Sequence, residues 1–576
     1  MKKALLFFAS LPLFIISCKK EAKANNKLET KKEVASKYTC APQVTDTTWY
    51  QSNNKAPLFN GLDVLNVPVS TKNKEAQHYF NQGLVLSYGF NHAEAARSFY
   101  YATKLDPKCA MAFWGYAYVL GPNYNGGMED NNYERAYEAI QTAKQLSINA
   151  TDKEKALINA MAERYVKTPP EDRSFLDIAY SNAMKTVSEK YPNDADINAI
   201  YTESIMNLHP WDLFDKEGNA KEWTPEIVSN LEKILKDHPK HPGAHHFYIH
   251  AVEMSNTPER SNISAKAFDD GLVPGAGHLL HMPSHTYIRT GEYHKGTLSN
   301  IRAVEADSTY VTKCHAQGAY PLAYYPHNYH FMAATATLEG NSKWAMIGAN
   351  KVSEHIHPDI MKQPGWGTLQ HYYLIPYYVA VKLGKWDTIL NMNLDTYDLK
   401  YPKAIKHYAE GMAHLGKNNL KEAKENLVKL EVLAKDESLR EITIWDINTV
   451  YDLVQMAKKV LYAEILSKEG KHKESITLLK EAVAFEDALN YNEPPDWFFS
   501  IRHYLGAVQI EAGQYKEAIN TYEVDLKRLP KNGWAHYGLK SAYQNLNDTE
   551  NVSRINDLIK NSWATADIEI SGSRIK

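Results

Sequence analysis

Apolar and polar positions alternate with a helical period along most of this chain, and the exceptions lie at its start. Ala4 to Ile16 is an unbroken apolar run behind Lys2 and Lys3, too short to span a bilayer. Lys19 to about Lys37 holds Lys, Glu, Ala and Asn with almost nothing apolar, so it cannot bury a core and reads as a flexible tether. From about residue 75 onward, apolar residues recur three and four apart in helix-length stretches that end at glycine or proline. Gly506 to Pro530, GAVQIEAGQYKEAINTYEVDLKRLP, shows the unit. Gly506 is a small residue on a first helix and Gly513 a turn. Tyr515 and Ala518 open a second helix, Tyr522 is its large packing residue, and Pro530 stops it. One such hairpin cannot bury its own apolar face, so several must stack.

The unit recurs. Gly83, Ala95, Phe99, Ala102 and Pro107 keep the same offsets, and turn glycines reappear at Gly291, Gly340, Gly384, Gly416 and Gly470. Second helices stop at Pro192, Pro239 and Pro274. The pattern resembles the tetratricopeptide repeat, a helix–turn–helix unit, over most of residues 75 to 560. The resemblance implies an all-α fold, a solenoid of stacked helix hairpins with a disordered N-terminal tether. The segments read as a signal peptide (1–17), a lipidated tether (18–40) and an irregular stretch (41–74). N-terminal repeats (75–208), a histidine-rich central array (209–395) and C-terminal repeats with a cap (396–576) follow.

Composition changes this picture in three places. A formal net charge of −3 over 576 residues, with both signs interleaved, leaves no basic face for nucleic acid. The apolar leader ends Ile15-Ile16-Ser17-Cys18, which resembles the lipobox of bacterial lipoproteins. The resemblance implies lipidation of Cys18, a membrane contact through that lipid, and a place in the cell envelope. Lys19 beside the cysteine points to the outer membrane of a Gram-negative bacterium. The other cysteines, Cys40, Cys109 and Cys314, form no C-x-x-C, which argues against thiol chemistry and covalent haem.

The third place is histidine. Of 23 histidines, thirteen lie between His209 and His330. In the resembled repeat, positions 2, 5, 9 and 12 of the first helix line the concave groove. Counting from Pro274 and back from Gly291 puts His278, His281 and His285, in GHLLHMPSH, at positions 2, 5 and 9. The same ruler puts His246, His250 and Glu253 at 5, 9 and 12 of the preceding repeat. His327 and His330 take 2 and 5 of the following one, and His371 takes position 2 of the next. Pro283 is expected to kink its helix. Tyr325 sits beside these histidines and joins the groove set. Trp211 and Trp223 flank the DKEGN loop, as a lid or as that loop's own cluster, and NEPPDW (492–497) reads as a rigid connector.

Two readings follow. In the first, the chain is a lipid-anchored, non-catalytic scaffold whose His- and Tyr-rich groove holds a peptide, a partner protein or a small polar ligand. In the second, His246, His250, His278, His281, His285, His327 and His330 bind a divalent transition metal, neutral imidazole being a common ligand for zinc, copper, nickel and iron. Glu253 would then complete the site or act as the base of a metal-dependent hydrolase. No H-E-x-x-H is present. The blocks HPGAHHFYIHAVE, GAGHLLHMPSH and YYPHNYHF resemble a group of bacterial repeat proteins without a firmly assigned activity. That resemblance implies the architecture and points to the histidine blocks. The sequence leaves the oligomeric state open.

Overall fold

The computed structural model describes residues 47–52, 54–314 and 320–576. The apolar leader, Cys18, the tether and Cys40 lie outside the described residues. The described chain is an all-α solenoid of consecutive helix hairpins, with one short antiparallel ribbon pairing Thr443–Ile444 with Asn448–Thr449. Among the described residues no helix is long and apolar enough to cross a membrane.

The small-residue rule sets how the hairpins nest. In the first, α1 (Lys74–Tyr88), α2 (His92–Leu105) and α3 (Ala110–Leu120) meet around Phe99. A Cβ added at Gly83 or Gly115 would stand 2.9 or 2.3 Å from that ring. Phe99 is fully buried there.

The central array holds α4 (Pro242–Val252), α5 (Gly277–His281), α6 (Pro283–Thr290), α7 (Tyr293–Cys314), α8 (Tyr325–Leu338) and α9 (Gly367–Lys382). α5 and α6 are one helix broken at Met282, where Pro283 removes a donor and starts the second piece. α6 ends at Gly291 with φ +74°, a left-handed turn that a side chain would resist. Gly416 corrects the sequence reading. It lies inside the helix Lys400–Gly416 against the Trp386 ring, and the left-handed turn residue is Asn418 at φ +62°. Asparagine tolerates that conformation, so the turn shifted without a glycine.

In the C-terminal repeats α10 (Arg502–Glu511), α11 (Tyr515–Arg528) and α12 (Gly533–Asn545) repeat the first nesting. Tyr522 fits between Gly506 and Gly538, where a Cβ at either would approach its ring to 2.3 Å.

Two apolar clusters run through the stack, one from Trp49 to Tyr325 and one from Ile288 to Trp563. They meet at α5–α8. The C-terminal repeats curl back onto that seam: Trp534 Nε1 donates to Thr337 O (2.9 Å) and Tyr293 OH to Pro530 O (2.7 Å). Asn492 and Glu493 thereby come to line the same cavity as His250 and His285.

Candidate metal centre

The HPGAHHFYIHAVE block divides its work by helix face. His241 caps α4, its Nδ1 accepting the Ala244 N–H at 3.0 Å, and Pro242 occupies the first turn. Gly243 lies against Tyr88, whose ring would be 2.5 Å from an added Cβ. This close approach lets His246 Nδ1–H reach the Tyr88 carbonyl at 2.6 Å. His245, on another face, is tied to Ser264 Oγ (2.8 Å) and Pro239 O (3.0 Å) and takes no part in the site.

α5 is seated the same way. A Cβ at Gly277 would lie 1.9 Å from Asp307 Oδ1, so only glycine lets α5 rest on α7. Asp307 accepts from Tyr320 OH (2.6 Å), and that hydroxyl accepts the His278 backbone N–H (3.0 Å).

The imidazoles gather into two triads, the first buried and the second buried except for half-buried His327. In each, the ligand-capable atoms lie within 4.8 Å of one another: His246, His250 and His278 in the first, His281, His285 and His327 in the second. One phenylalanine backs each. Phe90 stands 4.5 Å from His246 and 5.6 Å from His278, centroid to centroid, and Phe331 4.8 Å from His281 and 4.6 Å from His285. The triads adjoin, with His250 and His285 rings 5.3 Å apart and those of His278 and His281 5.6 Å apart.

Outer partners fix the tautomers. A carbonyl or carboxylate can only accept, so the ring nitrogen facing it carries the hydrogen, and in a neutral ring the opposite nitrogen is bare. His246 Nδ1–H donates to Tyr88 O, His250 Nδ1–H to Glu253 Oε1 (2.7 Å) and His285 Nδ1–H to Glu253 Oε2 (2.5 Å). Asn300 Nδ2 donates to Gly296 O, which turns its Oδ1 toward His281 Nδ1–H at 2.8 Å. With the rings neutral, four Nε2 atoms are left bare. Those of His281 and His285 face each other at 2.9 Å, and that of His250 has no partner. His246 Nε2 lies 3.2 Å from His278 Nε2, and His278 Nδ1 is also without a partner.

Two lone pairs at 2.9 Å repel unless a proton or a cation lies between them. Burial opposes a proton on His281 and on three neighbouring rings. It holds His246, His278, His281 and His327 well below the ordinary imidazole value, and neighbouring imidazoles push the same way. Burial also lowers His250, against the pull of Glu253. For Glu253, burial pushes the carboxyl up, but His285 and His250 beside it outweigh that push and lower it. Both of its oxygens are engaged and it is fully buried. It therefore orients one ring of each triad, and the role of base read for it from sequence does not fit. An imidazole whose Nδ1–H is held by an outer acceptor while Nε2 points inward is the arrangement metal-binding histidines adopt.

A cavity of about 480 Å³ opens onto the triads. Its walls are Tyr124, Trp211, Tyr324 and Trp445, and His250, His278, His285 and His327 border it. Tyr124 and Trp211 lie nearly parallel 5.4 Å apart, and Tyr324 meets His278 edge-on at 5.0 Å. Glu493, also on its wall, is pushed by burial to about 7 against the pull of Arg289.

Other residues singled out from sequence stand apart. His330 stacks on Phe498 (5.0 Å) and lies 5.7 Å from His371, whose Nδ1 meets Tyr401 OH at 2.9 Å. These two form a separate pair. Tyr325 packs on His355 (4.8 Å), and it is Tyr324 that borders the cavity. Trp223 stacks on His209 at 3.7 Å, whereas Trp211 is a cavity wall. Sequence reasoning missed Asn300, Trp445 and Glu493. Only the last carried a signal, as an acid inside the NEPPDW interruption of the helices.

No family model and no curated protein matches this chain. Solved structures similar to it include the human IFIT1 dimer with m7Gppp-AAAA, 13% identical over 92% of this chain and 97% of that one, at a TM-score of 0.31. The APC/C hetero-tetramer Cut9-Hcn1 is 13% identical over 87% and 79% of the two chains, at 0.28. Yeast Tom70 is 11% identical over 86% and 98%, at 0.31. All three are tetratricopeptide-type helical repeat proteins. At such scores the likeness is one of general architecture, and nothing about the cavity follows from it.

Proposed function

We propose that this protein binds two transition-metal ions, one in each histidine triad, within a helical-repeat body that a lipid on Cys18 holds at the cell envelope. The observation that carries the metal reading is the facing pair of Nε2 atoms at 2.9 Å between His281 and His285, each ring held at Nδ1 by its own outer acceptor. A metal ion turns that repulsion into two bonds, and imidazole nitrogens suit zinc, copper, nickel and iron. Elemental analysis of the full chain purified without an affinity tag tests this directly. Two ions per chain are expected, falling to one in His281→Ala. Metal far below one ion per chain in the native protein would overturn the reading.

The scaffold reading keeps one observation in its favour. A second cleft, about 360 Å³, lies between the central and C-terminal repeats and is lined by Arg289, Glu486, Asp487 and Arg528. Such a mixed-charge cleft suits a peptide or a partner protein. Its occupant would bind equally well after chelation of the metal, which separates the two roles.

A further inference from the structure

This inference rests on the metal-binding reading and asks which ion the triads take and what they do with it. Six donors converge, and all six are imidazoles, none of which brings a negative charge to an ion. Glu253, the carboxylate grouped with them among the described residues, accepts from the far nitrogens of His250 and His285, one oxygen each. Two divalent ions here would put four positive charges into a buried, adjoining pair of sites against that single outer charge. Burying uncompensated charge is among the most costly steps a fold can take. Monovalent ions halve the load. Among metals that imidazole favours, copper has a stable monovalent state, and three-coordination suits it. Catalytic zinc also accepts three histidines, but it needs a fourth ligand and brings two charges per site.

The cavity indicates the second half. Whatever reaches the inward nitrogens passes four aromatic rings, Tyr124, Trp211, Tyr324 and Trp445, which select a flat partner by stacking. Asn492 and Glu493 on the same wall supply polar groups for a hydroxyl. At about 480 Å³ the space is of small-ligand size and excludes a folded partner.

We infer that the triads hold a cuprous pair and that the aromatic cavity brings an ortho-diphenol to it, for oxidation by dioxygen. The pair passes two electrons at a time. Each diphenol loses two electrons and two protons from its O–H groups and leaves as the ortho-quinone. Two diphenols thus supply four electrons and four protons to one dioxygen, whose O–O bond breaks to give two waters.

The test uses the full chain, freed of metal and kept anaerobic. Cuprous ion is delivered as its bicinchoninate complex, zinc ion is titrated separately, and catechol is the probe in air. Uptake of two cuprous ions per chain is expected, undiminished by equimolar zinc. With copper bound, quinone absorbance should rise at least tenfold faster than for His281→Ala protein given the same total copper. Trp211→Ala should raise the catechol concentration needed for half-maximal rate while leaving copper uptake at two. Binding of two zinc ions in preference to copper would overturn this inference and leave the metal-binding reading standing. Two bound coppers with no quinone above the variant's background would overturn the oxidation. No stoichiometric binding of either ion would sink both readings.

Discussion

Replacing Glu253 by glutamine changes one oxygen to an amide and leaves the shape of the site intact. In the native protein this carboxylate accepts from His250 Nδ1–H at 2.7 Å and from His285 Nδ1–H at 2.5 Å. Glutamine keeps one acceptor and puts an NH₂ before the other ring. Two donors cannot face each other, so that imidazole must carry its proton on Nε2 instead, where its lone pair had pointed inward. One triad then holds two donors and a blocked third, while its neighbour is unchanged. Loss of an outer partner of a metal-binding histidine costs roughly 10- to 100-fold in affinity, which is about 1.4–2.8 kcal/mol. The two sites of Glu253→Gln should therefore become unequal, one near the native affinity and one weakened by that factor. Competition titration against a calibrated chelator resolves them. Two sites of native affinity in the variant would refute the tautomer argument.

Four other outcomes follow from the same structure. Gly277→Ala would place a Cβ 1.9 Å from Asp307 Oδ1, so a loss of about 1–3 kcal/mol is expected in thermal melts, and an unchanged melting temperature would count against the close seat of α5. Phe99→Ala should cost about 3–5 kcal/mol in denaturant titration, since the ring is fully buried between Gly83 and Gly115; a cost under 1 kcal/mol would mean the notch is not packed as described. The metal-free protein should lose stability as pH falls below about 6.5, where the unfolded chain protonates its histidines but the folded one, with His246, His278, His281 and His327 held low, does not. Each such group contributes up to about 1.4 kcal/mol per pH unit, so a flat unfolding midpoint between pH 7 and 5 would contradict their burial as neutral rings. Cys18→Ala should move the protein from the membrane to the soluble fraction, and retention in the membrane would end the lipoprotein reading.

Much of the frame was legible because it rests on local rules. Gly506 and Tyr522, read from spacing as a small residue and its filler, are in contact in the fold, as are Gly83 and Phe99. The break at Pro283 was legible because proline lacks a donor, and the repeat ruler picked out all six members of the triads. It could not separate His327 from His330. Both sit on one helix three residues apart, yet one meets His281 at 4.9 Å and the other stacks on Phe498, a residue far along the chain. Nor could it see Trp445 or Glu493 closing the cavity. Their arrival depends on how far the superhelix turns, which accumulates from small rotations at every repeat and leaves no local mark. Asn300 was hidden for a simpler reason. An asparagine on a helix is unremarkable until the ring it orients is known.

Anomalous diffraction from crystals of the metal-loaded full chain, recorded at the absorption edge of the bound metal, tests the central claim most directly. Two peaks are expected. One should lie about 2.0 Å from inward nitrogens of His246, His250 and His278, and the other at that distance from His281, His285 and His327. No peak at the triads, or a single one bound elsewhere on the surface, would contradict the account.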